Sequence, residues 1–127
     1  MSQREQKFEE IGTQFTQFYF GCFQTQQGRN ELAAKMYSAE SLMTWNNDKL
    51  MGAEAIAKKL AALTFQKLAY ENITTVYQPG PAGTVTALVT GDMKIDDDQN
   101  AVRFLQHFII APGANGFYIV NEVFNFM

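Results

Sequence analysis

The chain has 127 residues, 46% hydrophobic and 18% charged, with eleven Phe, five Tyr, one Trp and one cysteine. That is enough apolar material for one domain burying about two-thirds of its unfolded surface, which excludes a disordered chain, and the lack of any 18-residue uncharged apolar run excludes a membrane-spanning helix. The net charge of −3 argues against a nucleic-acid surface, and the single Cys22 leaves no internal disulfide and no CxxC metal cage and suits a reducing compartment.

The first ten residues, MSQREQKFEE, lack the apolar stretch of a signal peptide. Phe8, Ile11, Phe15, Phe18 and Cys22 then recur at steps of three and four, with Tyr19 and Phe23 widening the stripe. This period predicts a long amphipathic helix. Ser2 and Glu5 have capping-box spacing ahead of it, and Gly28 is expected to permit its exit within residues 24–28. A shorter helix is expected over residues 31–37, with Asn30 as its N-cap. A third is expected over residues 53–63, with Ile56, Leu60 and Leu63 on one face and Glu54 paired with Lys58.

After Phe65 the period falls from 3.6 to 2. Residues 67–77 are rich in β-branched and aromatic side chains, and Pro79-Gly80-Pro81-Ala82-Gly83 is a turn. From Thr84 the alternation places Val85, Ala87, Val89, Met93 and Ile95 on one side and mostly polar residues on the other, interrupted by Leu88. A loop at residues 96–100 leads to a strand at 102–111, and Pro112 to Gly116 turns into a last strand at 117–126. Helices first and an antiparallel meander behind them give an α+β class in a single domain over residues 1–127. The later strands carry large apolar residues on both faces. Leu88, Leu105, Ile109 and Val123 would stand on the face turned away from the helices, where a second copy of the chain would cover them.

No phosphate-cradling, zinc-protease or nucleophile-elbow motif occurs. His107, the only histidine, alternates with Leu105 and Ile109 and reads as a structural residue on a half-buried face. Cys22 reads as a small buried hydrophobe. The acids are uneven: residues 1–67 hold eight bases and seven acids, whereas residues 68–127 hold two bases and six acids, Glu122 among them. The second half is therefore expected to present an acidic surface to a basic protein partner. Asp96-Asp97-Asp98 and Trp45 stand out. Together they suit an aromatic-lined pocket beside an acidic rim, which would receive a partner's aromatic anchor and a neighbouring cation.

Several blocks of this sequence have a familiar order and spacing: Phe8-Glu9-Glu10-Ile11-Gly12, Leu42-Met43-Thr44-Trp45, Gly52 to Leu60, Phe65-Gln66-Lys67, Gly91 to Asp98, Arg103-Phe104 and Asn121-Glu122-Val123-Phe124. Over nearly the whole chain they resemble the nuclear transport factor 2 family. The resemblance implies a cone-shaped fold, with a strongly bent antiparallel sheet wrapped around a long N-terminal helix plus two shorter helices, and a hydrophobic cavity. It implies a homodimer closed by the outer sheet faces, here Leu88, Leu105, His107, Ile109 and Val123, and no cofactor or metal. It implies a carrier that takes the GDP form of the small GTPase Ran through nuclear pores, found in cytoplasm and nucleus and concentrated at the pore. Carried over residue by residue, Asp96 and Asp98 match acids that pair with a basic residue of Ran. Trp45, Leu63, Leu68 and Phe124 match the cavity that takes a Ran aromatic. Asn46 stands where the family usually has an acid, with Asp48 two residues on as a possible stand-in. Phe8 stands where the family often has Trp in a patch that meets phenylalanine-glycine nucleoporin repeats. The alternatives are an enzyme on the same cone fold, such as an isomerase or dehydratase, or an mRNA-export adaptor subunit. An enzyme would need an inward-facing acid–base pair; Tyr37, Tyr70 and Tyr118 supply hydroxyls, but the inward faces read as Val, Phe, Met and Ile.

Overall fold

A computed structural model describes the backbone from Gln3 and the side chains from Lys7, both through Met127. The capping box read at Ser2 and Glu5 lies outside the described residues. The chain forms α1 (Gln3–Phe23), α2 (Gln26–Lys35), β1 (Tyr37–Trp45), β2 (Asp48–Met51), α3 (Ala53–Ala62), β3 (Leu68–Pro79), a 3-10 turn (Pro81–Gly83), β4 (Val85–Ile95), β5 (Val102–Gly113) and β6 (Gly116–Phe126). The α+β class is as the sequence predicts.

The apolar face of α1 lies against the inner face of the sheet. Phe15 and Tyr19 meet Phe108 with ring centroids 4.9 and 4.7 Å apart, and Phe20 meets Tyr70 at 4.8 Å. Each buried aromatic contributes about 1.5–3 kcal/mol, so this packing rather than helix propensity holds α1 in place. The buried stripe is Phe15, Tyr19, Phe20 and Phe23. It is rotated from the expected one: Phe18 is 41% exposed and Cys22 is only half-buried. No described helix is long and apolar enough to cross a membrane.

The second helix begins earlier than expected. Thr25, not Asn30, is its N-cap and accepts from the Gly28 N–H at 3.0 Å. Gly28 therefore sits inside α2 instead of ending α1, and the reason is steric. A Cβ at this position would lie 1.9 Å from the Cys22 carbonyl oxygen, so α2 crosses the end of α1 at a distance only glycine allows. In α3, Glu54 and Lys58 make no ion pair; Lys59 instead pairs with Asp48 at 2.7 Å.

Six strands form one sheet in the order β2-β1-β6-β5-β4-β3. The meander from β3 to β6 is antiparallel as expected. The surprise is β1 and β2, with β1 running parallel to β6. Its alternation is hidden because Ser41 is buried, donating to the Ile119 carbonyl, while Leu42 is exposed. In β6, the pairing shifts between Ile109↔Asn121 and Ile110↔Ile119. That irregularity turns both Ile119 and Glu122 inward, so Glu122 leaves the acidic surface to which its charge was assigned.

The outer face of the sheet carries an apolar patch. Leu88 is 40% exposed, and Leu105, His107, Ile109 and Val123 are half-buried. His107 lies in register between Leu88 on β4 and Val123 on β6.

Gly28→Ala is expected to destabilise the domain by about 1–3 kcal/mol, because the backbone of α2 or α1 must move to admit one methyl group. The denaturant midpoint in a two-state unfolding titration measures it.

Candidate functional site

All six strands have one end at the same end of the sheet. Parallel pairing sets Trp45 beside Phe124. Antiparallel pairing then steps across the sheet, from Phe126↔Phe104 to Val102↔Met93 to Ile95↔Leu68. The register thus gathers Trp45, Asn46, Leu68, Phe124 and the turn at Asp96–Asp98, which are far apart in the chain.

Trp45 and Phe124 stack with centroids 4.1 Å apart and planes inclined by 14°. Phe23 continues the stack on Trp45 at 5.6 Å, and Phe104 on Phe124 at 5.8 Å. Both central rings are buried, Trp45 6% and Phe124 1% exposed. Leu68 is buried and Leu63 half-buried. A cleft of about 380 Å³ opens beside Leu68, walled by Gln66, Lys67, Lys94, Asp97 and Asp98. Trp45 and Phe124 do not line it.

The acidic turn is tied down on one side. Asp96 and Asp97 adopt left-handed backbone conformations, with φ of 50° and 62°, which short acidic side chains tolerate. The Asp96 N–H donates to the Lys67 carbonyl at 3.0 Å, and its Oδ1 accepts from the Gln66 and Lys67 N–H groups at 2.7 and 2.8 Å. Asp97 lies 3.7 Å from the Lys67 ammonium, and Asp98 Oδ1 accepts from the Asn100 N–H at 3.1 Å. All three side chains are exposed. Asp96 and Asp98 each keep one oxygen turned to no partner among the described residues.

Across the stack, Asn46 has φ of 55° in the β1–β2 turn. Its N–H donates to the Phe124 carbonyl at 2.7 Å, and its Oδ1 accepts from the Phe126 N–H at 3.1 Å. The amide is thereby committed to holding the turn against β6. Asp48, the possible stand-in for a missing acid, is taken by Lys59. Phe8 is placed elsewhere, half-buried at the other end of the domain. There it lines a cleft of about 330 Å³ with Ile11, Pro79 and Val85.

Residues 11–126 match the nuclear transport factor 2 (NTF2) domain. The chain belongs to the NTF2 family. Proteins named nuclear transport factor 2 from Candida glabrata and Saccharomyces cerevisiae are 40% and 39% identical to it over 118 residues, 92% of either chain. The solved structure of NTF2 from Cryptosporidium parvum aligns with a TM-score of 0.87 at 37% identity, covering 95% of both chains.

The interior of this NTF2 domain holds an acid that the strand pattern did not place there. Glu122 is fully buried, and both its oxygens are occupied: Oε1 accepts from the Tyr37 hydroxyl at 2.6 Å, and Oε2 from the Tyr19 hydroxyl at 2.6 Å and from Gln106 Nε2 at 2.8 Å. Burial pushes the Glu122 pKa up, against the three hydrogen bonds, which favour the carboxylate. Its spacing two residues before Phe124, on the same face of β6, was the available sequence clue. None of the described clefts is lined by Glu122, Tyr19, Tyr37 or Gln106. Arg29 was missed as well. It is fully buried, and nothing local in the α2 sequence marks it. No group of residues with metal-ligand composition occurs among the described residues.

Because the folded pKa of Glu122 lies above its unfolded value, its contribution is greatest when protonated, and stability falls as pH rises through the shifted pKa. Glu122→Gln is therefore expected to gain stability relative to wild type as pH increases above about 4.3, the ordinary glutamate range. Glu122→Ala, which strands three donors, is expected to lose about 3 kcal/mol or more at any pH. Melting curves of the three proteins from pH 4 to 8 decide it.

Proposed function

We propose that this protein is a homodimeric carrier that binds the GDP form of Ran and passes through nuclear pores by weak contacts with phenylalanine-glycine nucleoporin repeats. On this reading it works in both cytoplasm and nucleus and concentrates at the pore. The observation that carries the reading is the juxtaposition, at one end of the sheet, of the Trp45–Phe124 stack and Leu68 with the exposed carboxylates of Asp96 and Asp98. Such a pairing fits a partner whose aromatic side chain supplies most of the affinity while an adjacent cation fixes its orientation. The relatives' name and the family match agree with this use of the fold.

The carrier reading is also supported by what the interior acid is doing. Glu122 has its oxygens filled by protein donors and lines no described cleft, so it is placed to hold four elements together and not to take a substrate proton. Two-sidedness of the sheet supports the dimer: a face built from Leu88, Leu105, His107, Ile109 and Val123 resembles half of an interface. The Phe8 cleft, lined mainly by apolar residues, suits the weak contacts that a carrier must release, with many repeats supplying avidity. Selectivity for GDP would reside in the partner, whose switch segments rearrange when a γ-phosphate is present.

Titration of wild type with GDP-loaded and GTP-loaded Ran by calorimetry is expected to show a clear preference for the GDP form. The double variant Asp96→Asn with Asp98→Asn is expected to bind about 1 kcal/mol more weakly at low salt, the difference shrinking as salt is raised, because the pair is exposed and screened. Equal affinities for the two nucleotide forms would refute the reading.

Val123→Glu places an unpaired charge on the outer face and is expected to convert dimer to monomer at micromolar concentration. Sedimentation equilibrium reads this directly, and a wild type already monomeric at that concentration would remove the dimer.

A further inference from the structure

We propose that Arg29, which lies beneath the surface and lines none of the described clefts, is a positioning residue for the acidic turn, acting through a peptide-bridged ion pair with Asp96. The peptide unit between Phe65 and Gln66 is gripped at both ends. Its carbonyl oxygen accepts from Arg29 Nη2 at 2.8 Å, and its N–H donates to Asp96 Oδ1 at 2.7 Å. A buried guanidinium therefore sits at the negative end of the peptide dipole and a surface carboxylate at the positive end. Both hydrogen bonds are charge-assisted, and in series they polarise one another.

The surroundings of Arg29 are built for this single orientation. Nη1 donates to the Phe23 carbonyl at 2.9 Å and Nη2 also to Gln26 Oε1 at 3.2 Å. The guanidinium lies over the Phe65 ring, 4.4 Å from its centroid, and among the described residues no carboxylate lies within ion-pair distance of it. Its Nε finds no acceptor among the described residues. Burial lowers the Arg29 pKa, while Tyr70 and, more weakly, the charge of Asp96 act to raise it. An Arg retained in the core with one donor unfilled is hard to account for by packing alone; its planar fork reaches two carbonyls that a Lys could not span.

The consequence is a division of labour within Asp96. Its Oδ1 is spent on the Gln66 and Lys67 amides, which leaves Oδ2, with no partner among the described residues, as the rim charge. The segment so fixed connects Leu63 to Leu68, so the bridge sets the distance between the apolar wall and the acid. That last step rests on the carrier reading; the bridge itself does not.

The test has two arms. In the first, amide hydrogen exchange at Gln66 is compared in wild type, Arg29→Lys, Asp96→Gly and Asp98→Asn. Glycine suits the positive φ at position 96, so its effect is that of the lost carboxylate. Exchange is expected to quicken at least tenfold in Arg29→Lys and Asp96→Gly and to stay unchanged in Asp98→Asn. Should Arg29→Lys fail to fold, the guanidinium nitrogen shifts of Arg29 in Asp96→Gly serve instead, and shifts identical to wild type would overturn the bridge. In the second arm, affinity for GDP-loaded Ran is measured for the single variants and two doubles. Arg29→Lys with Asp96→Gly is expected to bind no more than about twofold worse than the weaker single. With Asp98→Asn the fold-losses should multiply. Multiplication in the first double, or unmoved Gln66 exchange, refutes the proposal. A wild type that does not bind Ran refutes the carrier reading alone, since the exchange arm still decides the bridge.

Discussion

The parallel pairing of β1 with β6 is the constraint on which the rest depends. Parallel strands cannot be joined by a tight turn, and these two are the first and last strands of the chain, so their pairing closes everything between residues 37 and 126 into one loop. Only with that closure made does Trp45 come to lie on Phe124, and only then does the Asn46 turn find the N–H of Phe126 to accept. The meander from β3 to β6 can be specified by local turns; the candidate site cannot. Non-local closure of this kind is expected to be a late and slow event in folding, so the site would be among the last parts of the domain to acquire its shape.

Glu122 stands at the centre of that closure. Its three donors come from α1, β1 and β5 while it belongs to β6, so one carboxylate joins the helix layer to three strands. An apolar residue of similar volume would avoid the desolvation, but it would leave β6 with only apolar inward positions beside it, Ile119 and Phe124, and no directional contact to mark its register. The carboxylate accepts only in one register.

Much of this architecture is legible in the sequence where a period is uninterrupted. Val85 to Ile95 alternates except at Leu88, Val102 to Ile110 is bounded by a polar loop and a Pro-Gly turn, and both strands fall where those signals put them. Stretches that fail do so where tertiary contact overrides the local pattern. In residues 37–45, Ser41 is inside and Leu42 outside, which inverts the polarity a strand is recognised by. Gly28 has the look of a helix end but is needed for a crossing that no local pattern records. For the site, Trp45 and the acids at 96–98 stand out by composition alone, whereas Arg29 depends on Phe23, Phe65 and Gln26 converging from three segments. Such a convergence has no signature before the fold exists.

The position of Trp45 has an optical consequence. It is the only tryptophan, it is shielded from solvent, and it is sandwiched between Phe23 and Phe124 at the sheet end where the candidate site lies. Its indole emission therefore originates from one known location, in an apolar setting, with no contribution from elsewhere in the chain. Any loosening of the β1–β6 seam alters the polarity sensed by this buried chromophore, and the unlabelled protein becomes its own fluorescent sensor.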